Sequence, residues 1–178
     1  QVEAQKAEQE LRNFLGIAAL KSCRFLIRYD IENLPIALST KAIDEIFATH
    51  QTDTVFINHI PLNENDLVFA WEFRTGQFDQ KANAAQKALQ LLLAKHKATV
   101  QEDNTKEICV KPVKILILQG EISTADIKKI EQYFINEVDS QKARLDIPKT
   151  LQTTNTKAKE IPVYEGFISL DEQALETF

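Results

Sequence analysis

The chain has 178 residues, 44% of them hydrophobic, enough for one domain with an extension or for two small domains with an ordinary core. A formal net charge of -5 at pH 7 argues against nucleic acid as a partner. No apolar run approaches the roughly 20 residues that span a membrane, and no signal peptide is visible, so a cytoplasmic protein without membrane contact is expected.

Taken in order, Val2 to Leu15 reads as a helix, with Ala4, Ala7, Leu11, Phe14 and Leu15 as its apolar stripe and Gly16 as a left-handed stop. Ser22 to Ile31 reads as a strand in which Cys23, Phe25, Ile27 and Tyr29 alternate with Arg24, Leu26 and Arg28. Pro35 marks a loop, and Ser39 or Thr40 caps a helix reaching about Thr49, with Ile43, Ile46 and Phe47 inward. Thr54 to Ile60 alternates like a strand, placing Val55, Ile57 and His59 on one face. Leu67 to Phe73 is the next strand. The chain turns at Gly76, and a helix opens at Asp79, whose carboxylate suits the free amides and the dipole of a helix start. Ala82, Ala85, Leu89, Leu92 and Leu93 give that helix an apolar face, and strand feeding helix this directly suggests half of a βαβ unit.

His96 to Lys106 is polar and irregular. Val113 to Leu118, broken only by Lys114, suits a central buried strand that Gly120 ends. Ser123 and Thr124 cap a helix to about Asn136, with Ile127, Ile130, Tyr133 and Phe134 inward. Val138 to Ile147 reads as a partly exposed strand closed by Pro148, Thr150 to Lys159 as a polar linker, Ile161 to Ile168 as a further strand, and Ser169 as the start of a short helix. The expected fold class is α+β, mostly antiparallel sheet with four helices packed on it.

The element order repeats. Helix, strand, helix, strand fills residues 1–61, and strand, helix, strand, helix, strand fills residues 66–147. Ala4-Gln5-Lys6-Ala7 matches Ala85-Gln86-Lys87-Ala88, and both second helices follow a Ser-Thr pair. The first half lacks an opening strand. With no Met, even at position 1, the chain reads as a piece of a longer one.

Three segments carry a family resemblance: Arg28-Tyr29-Asp30-Ile31-Glu32-Asn33-Leu34, Gly76-Gln77-Phe78-Asp79-Gln80 with its Ala/Gln/Leu helix, and Tyr133-Phe134-Ile135-Asn136-Glu137-Val138-Asp139-Ser140. Together they resemble the N-terminal, PurS-like domain of phosphoribosylformylglycinamidine synthase in its large single-chain form; Glu137 stands where that family usually has Pro. The resemblance implies an intramolecular pseudo-dimer of two PurS-like repeats (1–61 and 66–147, together 1–147) and the start of a linker domain over 148–178. It implies a role in purine biosynthesis, as the scaffold of a glutamine- and ATP-dependent ligase that converts formylglycinamide ribonucleotide to formylglycinamidine ribonucleotide. The partners would be the synthetase and glutaminase domains of the same chain. ATP and magnesium would bind the later synthetase domain, so this stretch would hold no cofactor and be inactive by itself. The full-length chain would be a monomer, while the piece, one strand edge left open, would self-associate weakly.

The residues themselves offer no catalytic, cofactor-binding or metal-binding set. Gly16, Gly76, Gly120 and Gly166 each end an element and none belongs to a phosphate loop; His50, His59 and His96 lack ligand spacing; Cys23 and Cys109 read as buried reduced thiols. Glu121, Asp126, Glu131, Glu137 and Asp139 form an acidic run, read as a solvated face or else a dock for a basic neighbour. Phe69, Trp71 and Phe73 read as core aromatics, or as an interface if exposed. The rival reading is a free-standing ferredoxin-like module that binds a small effector between its halves.

Overall fold

The computed structural model describes residues 2–49, 51–96 and 106–151. It has eight principal elements: α1 (Val2–Gln9), β1 (Leu20–Glu32), α2 (Ser39–Ala42), β2 (Leu67–Phe73), α3 (Gln80–Lys95), β3 (Cys109–Gly120), α4 (Thr124–Phe134) and β4 (Ser140–Lys142). The fold is α+β: the four strands form one antiparallel sheet in the order β1-β3-β2-β4.

Alternation in the strands gives the sheet two faces. On one, Leu116, Leu118, Phe69, Trp71, Cys23 and Phe25 pack under α1 and α4 through Ala7, Leu11, Ile127, Ile130 and Phe134. Further along the same face, Ile31 and Val110 lie under α3 and α2 through Leu89, Leu92 and Ala42. The opposite face presents Val113, Ile115, Ile117, Leu26, Val68 and Ala70, which pack with Ile60 and Ala143. β3 is buried on both faces, as its near-continuous apolar run requires.

The caps follow the sequence. Asp79 accepts hydrogen bonds from the amides of Lys81 (2.8 Å) and Ala82 (3.1 Å), and Ser123 accepts from the amide of Asp126 (3.2 Å). Gly16, at φ 69°, stops the first helix, and the amide of Ile17 closes back on the carbonyl of Leu11 at 3.0 Å.

Several expectations are corrected. Thr54 to Ile60 is not a strand: Asn58 takes φ 59°, which breaks the extended run, and Ile57 is 66% exposed. Only Ser140–Lys142 of the stretch from Val138 to Ile147 pairs as a strand. Neither Ser39 nor Thr40 caps the second helix, because a 3-10 turn over Ile36–Leu38 runs straight into it. Both helices of the first half end in a π-helical turn, Glu10–Phe14 and Ile43–Phe47, which shifts the inward stripe; Phe14 is 73% exposed. The strands flanking α3 are neighbours but antiparallel, so β2-α3-β3 is not a parallel crossover unit. The expected elements at Ile161 to Ile168 and from Ser169, and nearly all of the linker, lie outside the described residues.

Candidate functional site

On the face without helices, β1 points Ser22, Arg24, Leu26, Arg28, Asp30 and Glu32 away from the helix layer, as its alternation dictates. Their polar ends reach two irregular arms that lie over the sheet. The first arm ends at Asp66. Its carboxylate accepts from Arg24 Nη2 (2.8 Å), Gln119 Nε2 (2.8 Å) and the backbone amide of Asn63 (2.9 Å), while Arg24 also donates to the carbonyl of Pro61 (2.9 Å). The Asp66 side chain is only 1% exposed, so these donors replace its water; those from Asn63 and Gln119 hold its carboxyl below the usual range.

The second arm runs on from β4. Arg28 donates to the carbonyl of Leu145 at 3.0 Å and to Asp30 at 2.9 Å. Glu32 accepts from the Thr150 hydroxyl at 3.0 Å and from the Leu151 amide at 2.8 Å. Between the arms, Glu72 accepts from Lys111 (2.8 Å) and Gln141 (3.0 Å), tying β2, β3 and β4 together. Asp30 shows the cost of this arrangement: desolvation raises its carboxyl, and the Arg28 guanidinium offsets that only in part. The belt therefore fastens loops to a sheet.

The residues singled out in the sequence do not converge. Cys23 and Cys109 are free; burial, reinforced by Glu8, pushes the Cys23 thiol up to about 11, and burial also raises Cys109. His59 is exposed, and His96, at the end of α3, meets Lys41 at 3.4 Å. His50 lies outside the described residues. The acidic run is spread out: Asp126 engages Ser123 and Lys129, Glu131 engages Lys142 at 2.6 Å, and Asp139 accepts from the Ser140 hydroxyl at 2.6 Å. Phe69 and Trp71 are core residues, and Phe73 carries the Lys114 ammonium 5.6 Å from its ring centroid. Among the described residues no cluster of three or more His, Cys, Asp or Glu could hold a metal ion, and no helix is long and apolar enough to cross a membrane.

Of the anchors, Arg24, Arg28 and Glu32 stand in stretches the sequence marks, the alternating first strand and the Arg28–Leu34 segment, but nothing there assigns them an anchoring role; Asp66 and Glu72 carry no such mark. The alternation of β1 does mark a polar face, but its partners lie far away along the chain. No family model, curated protein or solved structure matches this chain.

Proposed function

We propose that the chain is the non-catalytic, PurS-like N-terminal scaffold of a phosphoribosylformylglycinamidine synthase, with its synthetase and glutaminase domains as partners. The observation that carries this reading is that two of its three signature segments meet. The amide of Arg74 donates to the carbonyl of Asp139 (2.8 Å) and its Nε to the carbonyl of Ser140 (3.1 Å), joining the turn before Gly76-Gln77-Phe78-Asp79 to the segment ending at Ser140. Burial raises the phenol of Tyr29, in the Arg28-Tyr29-Asp30 segment, and the charges of Asp79 and Glu3 add to this. Two of the segments, remote in sequence, thus meet at the end of β2, while the Arg28-Tyr29-Asp30 segment lies on β1, at the opposite edge of the sheet from β4.

The helix arrangement supports the pseudo-dimer. Each of the two long strands, β1 and β3, is preceded and followed by a helix, and the packing is crossed between the two units: α1 lies with α4, and α2 with α3, on two parts of one sheet face. The two helix-strand-helix units would be the repeats, with β2 beside β3 having its counterpart beside β1. A scaffold needs no reactive group, and the belt of fixed charges suits the holding of neighbouring segments.

The test is reconstitution. Residues 1–178 are mixed with the remainder of such a synthase, and product formation is followed with glutamine and with free ammonia as nitrogen donor. A scaffold restores the glutamine-dependent rate far more than the ammonia-dependent one. Failure to bind the remainder, or a melting shift on adding free amino acids or nucleotides, would overturn the reading in favour of an effector-binding module.

A further inference from the structure

The two arms over the helix-free face of the sheet are held firmly, yet they carry apolar side chains outward. From Ala48 to Asp66 the described residues form neither helix nor strand. Connections of such length in compact domains usually either bind something or lack fixed structure. This one is fastened at both ends. Asp53 accepts from the amide of Thr49 (2.9 Å) and the hydroxyl of Thr52 (3.2 Å), and Asp66 closes the other end on Arg24 and Asn63. Ile60 is set into the sheet, in the cluster of Val113, Ile115 and Ile117. Val55, Phe56, Ile57 and Leu62 are nevertheless exposed.

The second arm continues this surface. Ala143 packs into the same cluster as Ile60, while Arg28 and Glu32 hold the carbonyl of Leu145 (3.0 Å) and the amide of Leu151 (2.8 Å). Leu145 and Ile147, on the stretch so held, are 50% and 62% exposed. Arg24, Arg28 and Glu32 lie four residues apart on one face of β1, so successive anchors follow one line at intervals of about 13 Å. Apolar side chains gathered on fastened backbone mark an interface, and fixing that backbone beforehand lowers the ordering cost of association. Where the chain leaves points to what covers them. Leu151 is tied down on this face, so the chain beyond it departs from the side of the sheet that bears the arms, opposite the helices. On the scaffold reading the synthetase domain follows on that chain. We propose that the exposed apolar residues of the two arms, Val55 to Ile57, Leu62, Leu145 and Ile147, form the seat of that synthetase domain. This inference rests on the scaffold reading and adds to it the face that is used.

The 178-residue chain, fluorescently labelled, is titrated with the remainder of such a synthase, and binding is followed by anisotropy. Ile57→Glu/Leu145→Glu, which sets two charges in an apolar seat, should weaken binding by about tenfold or more. Leu91→Glu, on the exposed side of α3, should bind like the parent. Should the double variant fail to fold, Ile57→Cys decides: the remainder should strongly slow maleimide labelling of Ile57→Cys and leave that of Leu91→Cys unchanged. A parent chain that does not bind the remainder overturns the scaffold reading and this inference together. A parent that binds while the arm variant binds equally well, or while labelling of Ile57→Cys is unslowed, overturns this inference alone.

Discussion

Leu89 tests the packing most directly. Its side chain is 0% exposed, and its cluster draws on α2, on α3 and on the ends of β1 and β3 through Ala42, Leu92, Ile31 and Val110. Leucine-to-alanine changes in such cores cost about 2–5 kcal/mol, more where the walls cannot close on the cavity. Here the walls belong to separate elements fixed by the sheet, so Leu89→Ala should fall in the upper half, about 3–5 kcal/mol. With a urea slope of about 2–3 kcal/mol/M the midpoint should drop by about 1–2.5 M, with the slope unchanged. Leu91, two positions on and 72% exposed, is the control; Leu91→Ala should stay within about 0.5 kcal/mol. Equal urea midpoints for Leu89→Ala and the parent, or a larger loss for Leu91→Ala, would mean that α3 presents its other face to the sheet.

Asp79→Ala removes the acceptor of two amides at the start of α3 and should cost about 0.5–2 kcal/mol in the same melts. Gly120, at φ 147°, would press any Cβ into the carbonyl of Ala19, so Gly120→Ala should cost more than the roughly 1 kcal/mol of an ordinary glycine replacement; an unchanged melting temperature would refute this. The Cys23 thiol, pushed up to about 11, should be only about one-thousandth ionised at pH 8; alkylation of Cys23 by iodoacetamide as fast as that of a free thiol would contradict it. Asp66 is held below the usual carboxylate range in the folded state, so its contribution is present above the unfolded value near pH 4 and is lost as pH falls through the folded value. Asp66→Asn should therefore flatten the acid limb of a stability-against-pH curve, and an identical limb would refute the assignment.

Elements whose signal is local were legible in the sequence. Leu67 to Phe73 alternates cleanly and forms a strand with those same ends. α3 begins where Asp79 announces it, and the apolar run from Val113 to Leu118 lies inside the buried β3. Thr54 to Ile60 misled for the same reason: Val55, Ile57 and His59 alternate, but the period cannot reveal that Asn58 turns left-handed. The belt was half legible. Arg24, Arg28 and Glu32 declare a polar face, whereas Asp66, Leu145 and Leu151 become their partners only once the sheet exists.

The strand order carries a consequence for how the chain comes to be folded. Among the described residues β1 pairs with β3 alone, from Leu20 against Gly120 to Glu32 against Cys109, so roughly eighty to one hundred residues separate the partners. Closing so large a loop is entropically costly and should slow the docking of β1 relative to the association of β2 with β3. On a ribosome, β1 emerges early and must wait until Gly120 has cleared the exit tunnel before its full partner exists. Throughout that interval the edge that β3 will cover is open, and this strand is where a chaperone would find the nascent chain in need of cover.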